Sequence, residues 1–273
     1  MSALDLQTFQ ETFRAARSMA VVGNAESVLE WPSGELIDGH DLVVRFNRAY
    51  TEGIEDRVGR RTDILVANRT YSLRKAPSPA ATLKPRCVVC FLEPEHEIDY
   101  ASFKAWTGSL PTLITLAPDL AGIGQFRRTR PVTMGTNALY TFLRLFRIER
   151  LFLTGFTFYG AVAGSHGVYC GALRKARGMW HDLEDEAAIF ARVIGGYQGE
   201  LRATPEVDDL LRRYGASTPA GHDGGGVLGA EDWHARLGWR LIRWGTRLRQ
   251  RAESSGRTGL TSPKKKTRTA TAR

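Results

Sequence analysis

Short apolar runs recur along the first 156 residues, at about 19–23, 41–46, 62–67, 86–92, 111–117 and 150–156. They are strand-sized, and runs of Val, Ile and Leu with few polar breaks suit strands buried on both faces of a parallel sheet. Between them the period changes. Residues 3–17 are amphipathic and predict a leading helix, the stretch after Pro131 runs into an apolar helix to about Phe146, and a further helix starts at Leu183. The loop between the first two strands has turn chemistry at Trp31-Pro-Ser-Gly34, and 95–110 reads as helix or loop. Strand alternating with helix predicts an α/β fold, a Rossmann-like doubly wound sheet, occupying residues 1–214 as one domain. Residues 215–230 are Gly-rich and read as a flexible linker. Residues 231–252 read as an amphipathic helix, and 253–273, rich in Ser, Thr, Lys and Arg, as a disordered basic tail.

Composition narrows the class. A chain of 273 residues that is 42% hydrophobic can build one large domain with a full core. No apolar run approaches the ~20 residues that span a bilayer. The amphipathic N-terminus, with its early acids, reads as neither secretory signal nor anchor. Much of the net charge of +9 lies beyond Arg236 and describes the tail more than the domain. Three cysteines are too few for a disulfide framework. Cys87-x-x-Cys90 has no second pair and sits inside an apolar run, which favours buried strand thiols over zinc or redox work.

The candidate chemistry lies where the runs stop. Gly23-Asn24 follows the first run, Asn47 the second and Asn68 the third. The carboxyl ends of strands are where open α/β sheets bind ligands. An Asn offers two donors and one acceptor without charge, suited to a base edge or a ribose; the alternative is that Asn24 and Asn47 cap turns. The turn lacks three glycines and no Gly-Lys-Ser/Thr follows, so dinucleotide and P-loop readings are poor. A methyltransferase would want an acidic ribose reader where Asn47 and Arg48 stand. Pro131-Val-Thr-Met-Gly-Thr-Asn-Ala-Leu139 opens a helix, with Thr136 as its expected N-cap, and such a turn is either an anion seat or an ordinary cap. His181 precedes Asp182, a good N-cap, which leaves the imidazole on a loop at a helix entrance, in either a structural or a functional role. Glu184, Asp185 and Glu186 read as complements to the helix dipole rather than a hydrolase pair. No Asp-x-Asp, the usual metal holder of nucleotide-diphosphate transferases, is present.

Four ordered motifs between Ser18 and Phe190 resemble the sialyltransferases, glycosyltransferase family 29. Met19-Ala-Val-Val-Gly-Asn24, Ile37-Asp-Gly-His-Asp41, Arg45-Phe-Asn47 and Val58-Gly-Arg-Arg-Thr62 are similar to that family's large motif and its continuation. Thr133-Met-Gly135 and Leu153-Thr-Gly-Phe156 are similar to its small motif, with one residue inserted after the Pro. His166 stands where its third motif has a His, although Gly167-Val168 follow in place of aromatic and acidic residues. His181-x4-Glu186 has the spacing of its very small motif.

The resemblance implies a variant GT-A glycosyltransferase fold. It implies an inverting, metal-independent transferase, with no cofactor, that moves a sialic acid or related keto-sugar acid such as Kdo from CMP to a glycan hydroxyl. Asn24, Asn47, Thr133 and Gly135 would hold CMP, with Thr136, His166 and Tyr169 near the departing phosphate. His181 would be the base, and Gly23 and Glu186 would support the site. Secretory-pathway members have a Cys at the position of Met19 and its disulfide partner near Ile148. Both are apolar here, which implies a bacterial-type enzyme of the cytoplasm. Leu237, Leu241, Trp244 and Leu248 recur at helical spacing beside Arg236, Arg240, Arg243 and Arg247. That helix either docks on the domain or lies on the anionic inner face of the plasma membrane, which would suit a lipid-linked acceptor. No residues here read nucleic-acid bases. The rival is a non-catalytic nucleotide- or glycan-binding protein of the same fold.

Overall fold

In the computed structural model, which describes residues 4–69, 77–93, 97–118, 120, 132–158 and 183–216, the first apolar run becomes β1 (Ser18–Val22). Every residue of β1 is buried, as is every residue of β2 (Leu42–Phe46), β3 (Ile64–Val66) and β4 (Cys87–Leu92). Both faces of the sheet are therefore covered at its centre, the physical reason these runs carry so few polar residues. β5 (Thr112–Leu116), at one edge, alternates buried and part-exposed positions. β6 (Arg150–Thr154) and β7 (Glu200–Ala203) complete seven parallel strands in the order β5-β4-β3-β2-β1-β6-β7.

The α-helices among the described residues are α1 (Leu6–Phe13), α2 (Gly34–Asp38), α3 (Glu55–Val58), α4 (Tyr100–Thr107), α5 (Met134–Leu145), α6 (Leu183–Gly195) and α7 (Pro205–Arg213), with a short 3-10 helix at Glu26–Glu30. The chain steps outward from β1 to β5, then returns to the far side of β1 as β6. Right-handed crossovers place the outward and returning connections on opposite faces. α1 packs on α5 through Phe9, whose ring lies 5.9 Å from Phe142 and 5.6 Å from Phe146. The reversal leaves a crevice at the carboxyl ends of β1 and β6, the position at which open α/β sheets take ligands.

The predicted strands and long helices agree with those observed to within two or three residues at most ends. Two differences bear on the site. α5 starts a turn earlier than Thr136 would set it: Thr133 is the N-cap, with φ −63° and ψ 158°, and Thr136 lies inside the first turn. β7 and α7 were not foreseen. β7 is four residues, Glu-Leu-Arg-Ala, at the second edge. α7 does carry signals: Thr204 as N-cap, Pro205 at its start, acids in the first turn, arginines in the last, and Val207, Leu210 and Leu211 buried at helical spacing. The linker, amphipathic helix and tail expected beyond Ala216 lie outside the described residues.

Candidate active site

β1 and β6 end on glycines that touch. Gly23 N donates to the Thr154 carbonyl at 2.8 Å, and Ala25 N to the Gly155 carbonyl at 3.1 Å. A Cβ on Gly23 would sit 2.1 Å from the Gly155 carbonyl oxygen, and Gly155 has φ +73°. Only glycine allows this approach, so Gly23 supports the crevice by what it lacks. Asn24 follows directly. Its Nδ2 donates to the Phe46 carbonyl at 3.0 Å, tying the end of β1 to the end of β2. Its Oδ1 is buried and has no partner among the described residues, a condition that costs free energy until a donor arrives.

Asn47, just past β2, adopts φ 55°, a left-handed conformation that Asn tolerates better than most residues. Its Oδ1 accepts from the Asn68 backbone N–H at 3.0 Å, fastening the turn after β3. Asn47 is thus a turn former, and what it can offer a ligand is its NH2 group.

At the start of α5 the seat is partly filled from within. Glu186, 2% exposed and in the first turn of α6, presents Oε1 to the Thr133 backbone N–H at 2.7 Å and to the Thr136 hydroxyl at 3.2 Å. A buried carboxylate on a helix N-terminus satisfies an otherwise orphaned N–H and favours the dipole. The Thr136 hydroxyl is therefore committed, and its side chain is wholly buried. Gly135 packs beneath Phe156, where an added Cβ would come 2.8 Å from the ring. Phe156 joins Phe46 (6.1 Å) and Phe190 (5.0 Å), so the ends of β2 and β6 and helix α6 share one aromatic cluster.

Other motif residues lie elsewhere. Asp41 caps the opposite, amino edge, accepting from Arg17 N (2.8 Å) and Ser18 N (2.9 Å); these bonds hold its carboxyl below the ordinary range. His40 is buried beside Phe152, with Nδ1 2.7 Å from the Leu36 carbonyl, and burial lowers its pKa. Asp38 accepts from Arg60 N and Arg61 N. Arg45, fully buried, donates from Nε to the Arg61 carbonyl (2.9 Å) and from Nη2 to the Val58 carbonyl. These side chains build the scaffold. Cys87 and Cys90 are buried thiols pushed up to about 12 by desolvation.

Asn24, Asn47, Thr133 and Gly135 thus gather at the carboxyl edge with Gly23, Gly155 and Glu186. His166, Tyr169 and His181 lie outside the described residues. Glu206, in the first turn of α7, was missed by the sequence reading, although it accepts four hydrogen bonds at this edge. Among the described residues no group of three or more His, Cys, Asp or Glu side chains comes together, and no helix is long and apolar enough to cross a membrane.

Known proteins share parts of this chain. An Arabidopsis thaliana β-1,6-galactosyltransferase is 34% identical over 103 residues, covering 36% of this chain and 26% of its own. The human β-galactoside α-2,6-sialyltransferase 2 is 49% identical over 55 residues, 20% of this chain and 10% of its own. The chain therefore aligns with about a quarter or less of the length of these relatives. A mammalian sialyltransferase crystal structure aligns over 70% of this chain and 69% of that one, at 19% identity and a TM-score of 0.46. Residues 3–104, which contain β1 to β4 and both asparagines, match the family model of glycosyltransferase family 29 (sialyltransferase), so that stretch is similar to that family.

Proposed function

We propose that the chain is an inverting, metal-independent glycosyltransferase that moves a sialic acid or related keto-sugar acid such as Kdo from its CMP donor to a glycan hydroxyl. Its sheet would then be the Rossmann-like core of a variant GT-A fold. The observation that carries the reading is the joint placement of Asn24, Asn47 and the start of α5 at the crevice where strand order reverses, with the Asn24 acceptor buried and without a partner among the described residues. A cytidine ribose or amine would supply the missing donor. The N–H groups of Met134 and Gly135 suit the departing phosphate, because Glu186 already takes that of Thr133.

His181 acts as base, with His166 and Tyr169 adding donors at the phosphate. As the acceptor oxygen attacks the anomeric carbon, its proton passes to the imidazole. The bond to the phosphate oxygen breaks on the opposite face, and its electron pair leaves with CMP. An imidazole with an ordinary pKa of about 6.5 suits proton removal near neutral pH. The enzyme would work in the cytoplasm. Residues 231–252 would rest on the inner membrane face when the acceptor is lipid-linked.

The test supplies CMP-sialic acid, CMP-Kdo and UDP-galactose with and without a galactoside acceptor, in EDTA, and measures nucleotide release. UDP-galactose is included because one relative is a galactosyltransferase. The expected result is acceptor-dependent CMP release, lost in His181→Ala while CMP binding persists. Binding without turnover in the parent chain would establish the non-catalytic alternative, and UDP release would replace the donor.

A further inference from the structure

Glu206 stands outside the four motifs and outside residues 3–104, yet it holds the crevice together. Its Oε1 accepts from the Thr204 hydroxyl at 2.7 Å, the Ser27 hydroxyl at 3.2 Å and, at the longer distance of 3.4 Å, the Gly155 backbone N–H. Its Oε2 accepts from Trp31 Nε1 at 3.0 Å. The donors belong to three parts of the chain: the turn after β6, the 26–31 segment that follows Asn24, and the start of α7 itself. The Thr204 and Thr154 hydroxyls, 3.3 Å apart, add a link to the end of β6.

The order of these contacts has a direction. Gly155 is gripped by Glu206 through its N–H and grips Ala25 through its carbonyl, while its backbone abuts Gly23. Ser27 and Trp31 are held three and seven residues after Asn24. The peptide that presents Asn24 is therefore fastened on both sides by one carboxylate. The Nδ2 bond to Phe46 then fixes the side chain, leaving Oδ1 with little freedom to find a donor of its own. A carboxylate suits the task because it offers about four acceptor positions and no donor.

We propose that Glu206 is a positioning residue for the nucleotide donor: it acts through Gly155, Ser27 and Trp31 to hold Asn24 in the conformation that binds. The proposal rests on the donor reading above and adds to it a residue contributed by α7. Removal of the carboxylate leaves Asn24 with its bond to Phe46 but on a turn that is less firmly held, so affinity falls although no group that touches the nucleotide is lost. Preorganisation of this kind appears mainly in binding, because ordering the turn is then charged to the ligand.

The experiment compares the full chain with Glu206→Ala, Glu206→Gln and Trp31→Phe. CMP and UMP affinity is measured by calorimetry and thermal unfolding by circular dichroism. Glu206→Gln keeps an acceptor for Gly155, Ser27 and Thr204 and disturbs only the Trp31 contact, as Trp31→Phe does. The expected result is at least tenfold weaker CMP binding in Glu206→Ala, with the two conservative variants within about threefold of the parent, all four unfolding cooperatively. Amide exchange at Gly155 and Ala25 should quicken only in Glu206→Ala. Equal CMP affinity in the parent and Glu206→Ala overturns the positioning role and leaves the donor reading standing. A parent that binds neither nucleotide overturns both, and does so before any variant is compared. An Ala variant too unstable to assay passes the decision to Trp31→Phe combined with Ser27→Ala. That pair strips the 26–31 segment of its hold, and the proposal falls if its CMP affinity matches the parent's.

Discussion

A glycine and an asparagine side by side carry much of the crevice, and they carry it differently. Gly23 is constrained by contact: its α-carbon faces the Gly155 carbonyl with no space for a methyl group. Gly23→Ala should destabilise the domain by roughly 3 kcal/mol, read as a fall of several degrees in the unfolding midpoint. Gly53→Ala offers a comparison, since an added Cβ there meets nothing within 4 Å and the cost comes only from φ +80°. The placement of Asn24 and Asn47 at strand ends was legible because each follows an apolar run. The capture of the Asn47 oxygen by Asn68 was not, since it depends on a left-handed turn and a neighbouring strand. Likewise Thr136 looked like a cap by residue type. The cap is Thr133, because Glu186, fifty residues further on, satisfies the N–H that helix start exposes.

Among the elements, β4 gives a chemical check. Cys87 and Cys90 lie in a strand buried at every position, and their thiols are pushed up to about 12. In a Cys170→Ser background at pH 8, Ellman's reagent should find almost no reactive thiol in the native protein and two in denaturant. Fast native reaction would mean that β4 is accessible. The central strands were readable because a covered parallel sheet asks for long apolar runs. β7 was not readable, with Glu200 exposed and only four residues at an edge. α7 had the usual signals of Thr204, Pro205 and buried Val207, Leu210 and Leu211. They were passed over because the strand that introduces the helix was not recognised.

For the molecule as a whole, the two edges of the sheet divide the labour. The carboxyl edge carries the crevice, while the amino edge carries His40, bonded to α2, and Asp41 and Asp63, whose bonds knit β1, β2 and β3. Alternation of runs with helical stretches revealed the α/β class. The strand order was invisible, because nothing in a run states its neighbour. Stability should depend on pH through the amino edge. Burial lowers the pKa of His40 from 6.5, so below that value the unfolded chain takes up a proton that the native state refuses. Its contribution is present above about pH 6.5 and is lost as pH falls towards the lowered native value. Asp41, lowered from 3.8, adds a second loss at more acid pH. The urea midpoint should drop between pH 7.5 and 5.5, and His40→Asn, which can keep a donor for Leu36, should flatten that drop. An unchanged slope would remove His40 as its source.

The reversal of strand order also has a consequence in time. β1 leaves the ribosome well before its neighbour β6, which begins only at Arg150, and the Glu206 brace comes later still. At elongation speeds of about 5–20 residues per second this leaves roughly ten seconds in which one flank of β1 is bare. During translation that flank stays without its partner strand, and the crevice at the ends of β1 and β6 cannot be complete until the returning half of the polypeptide has emerged.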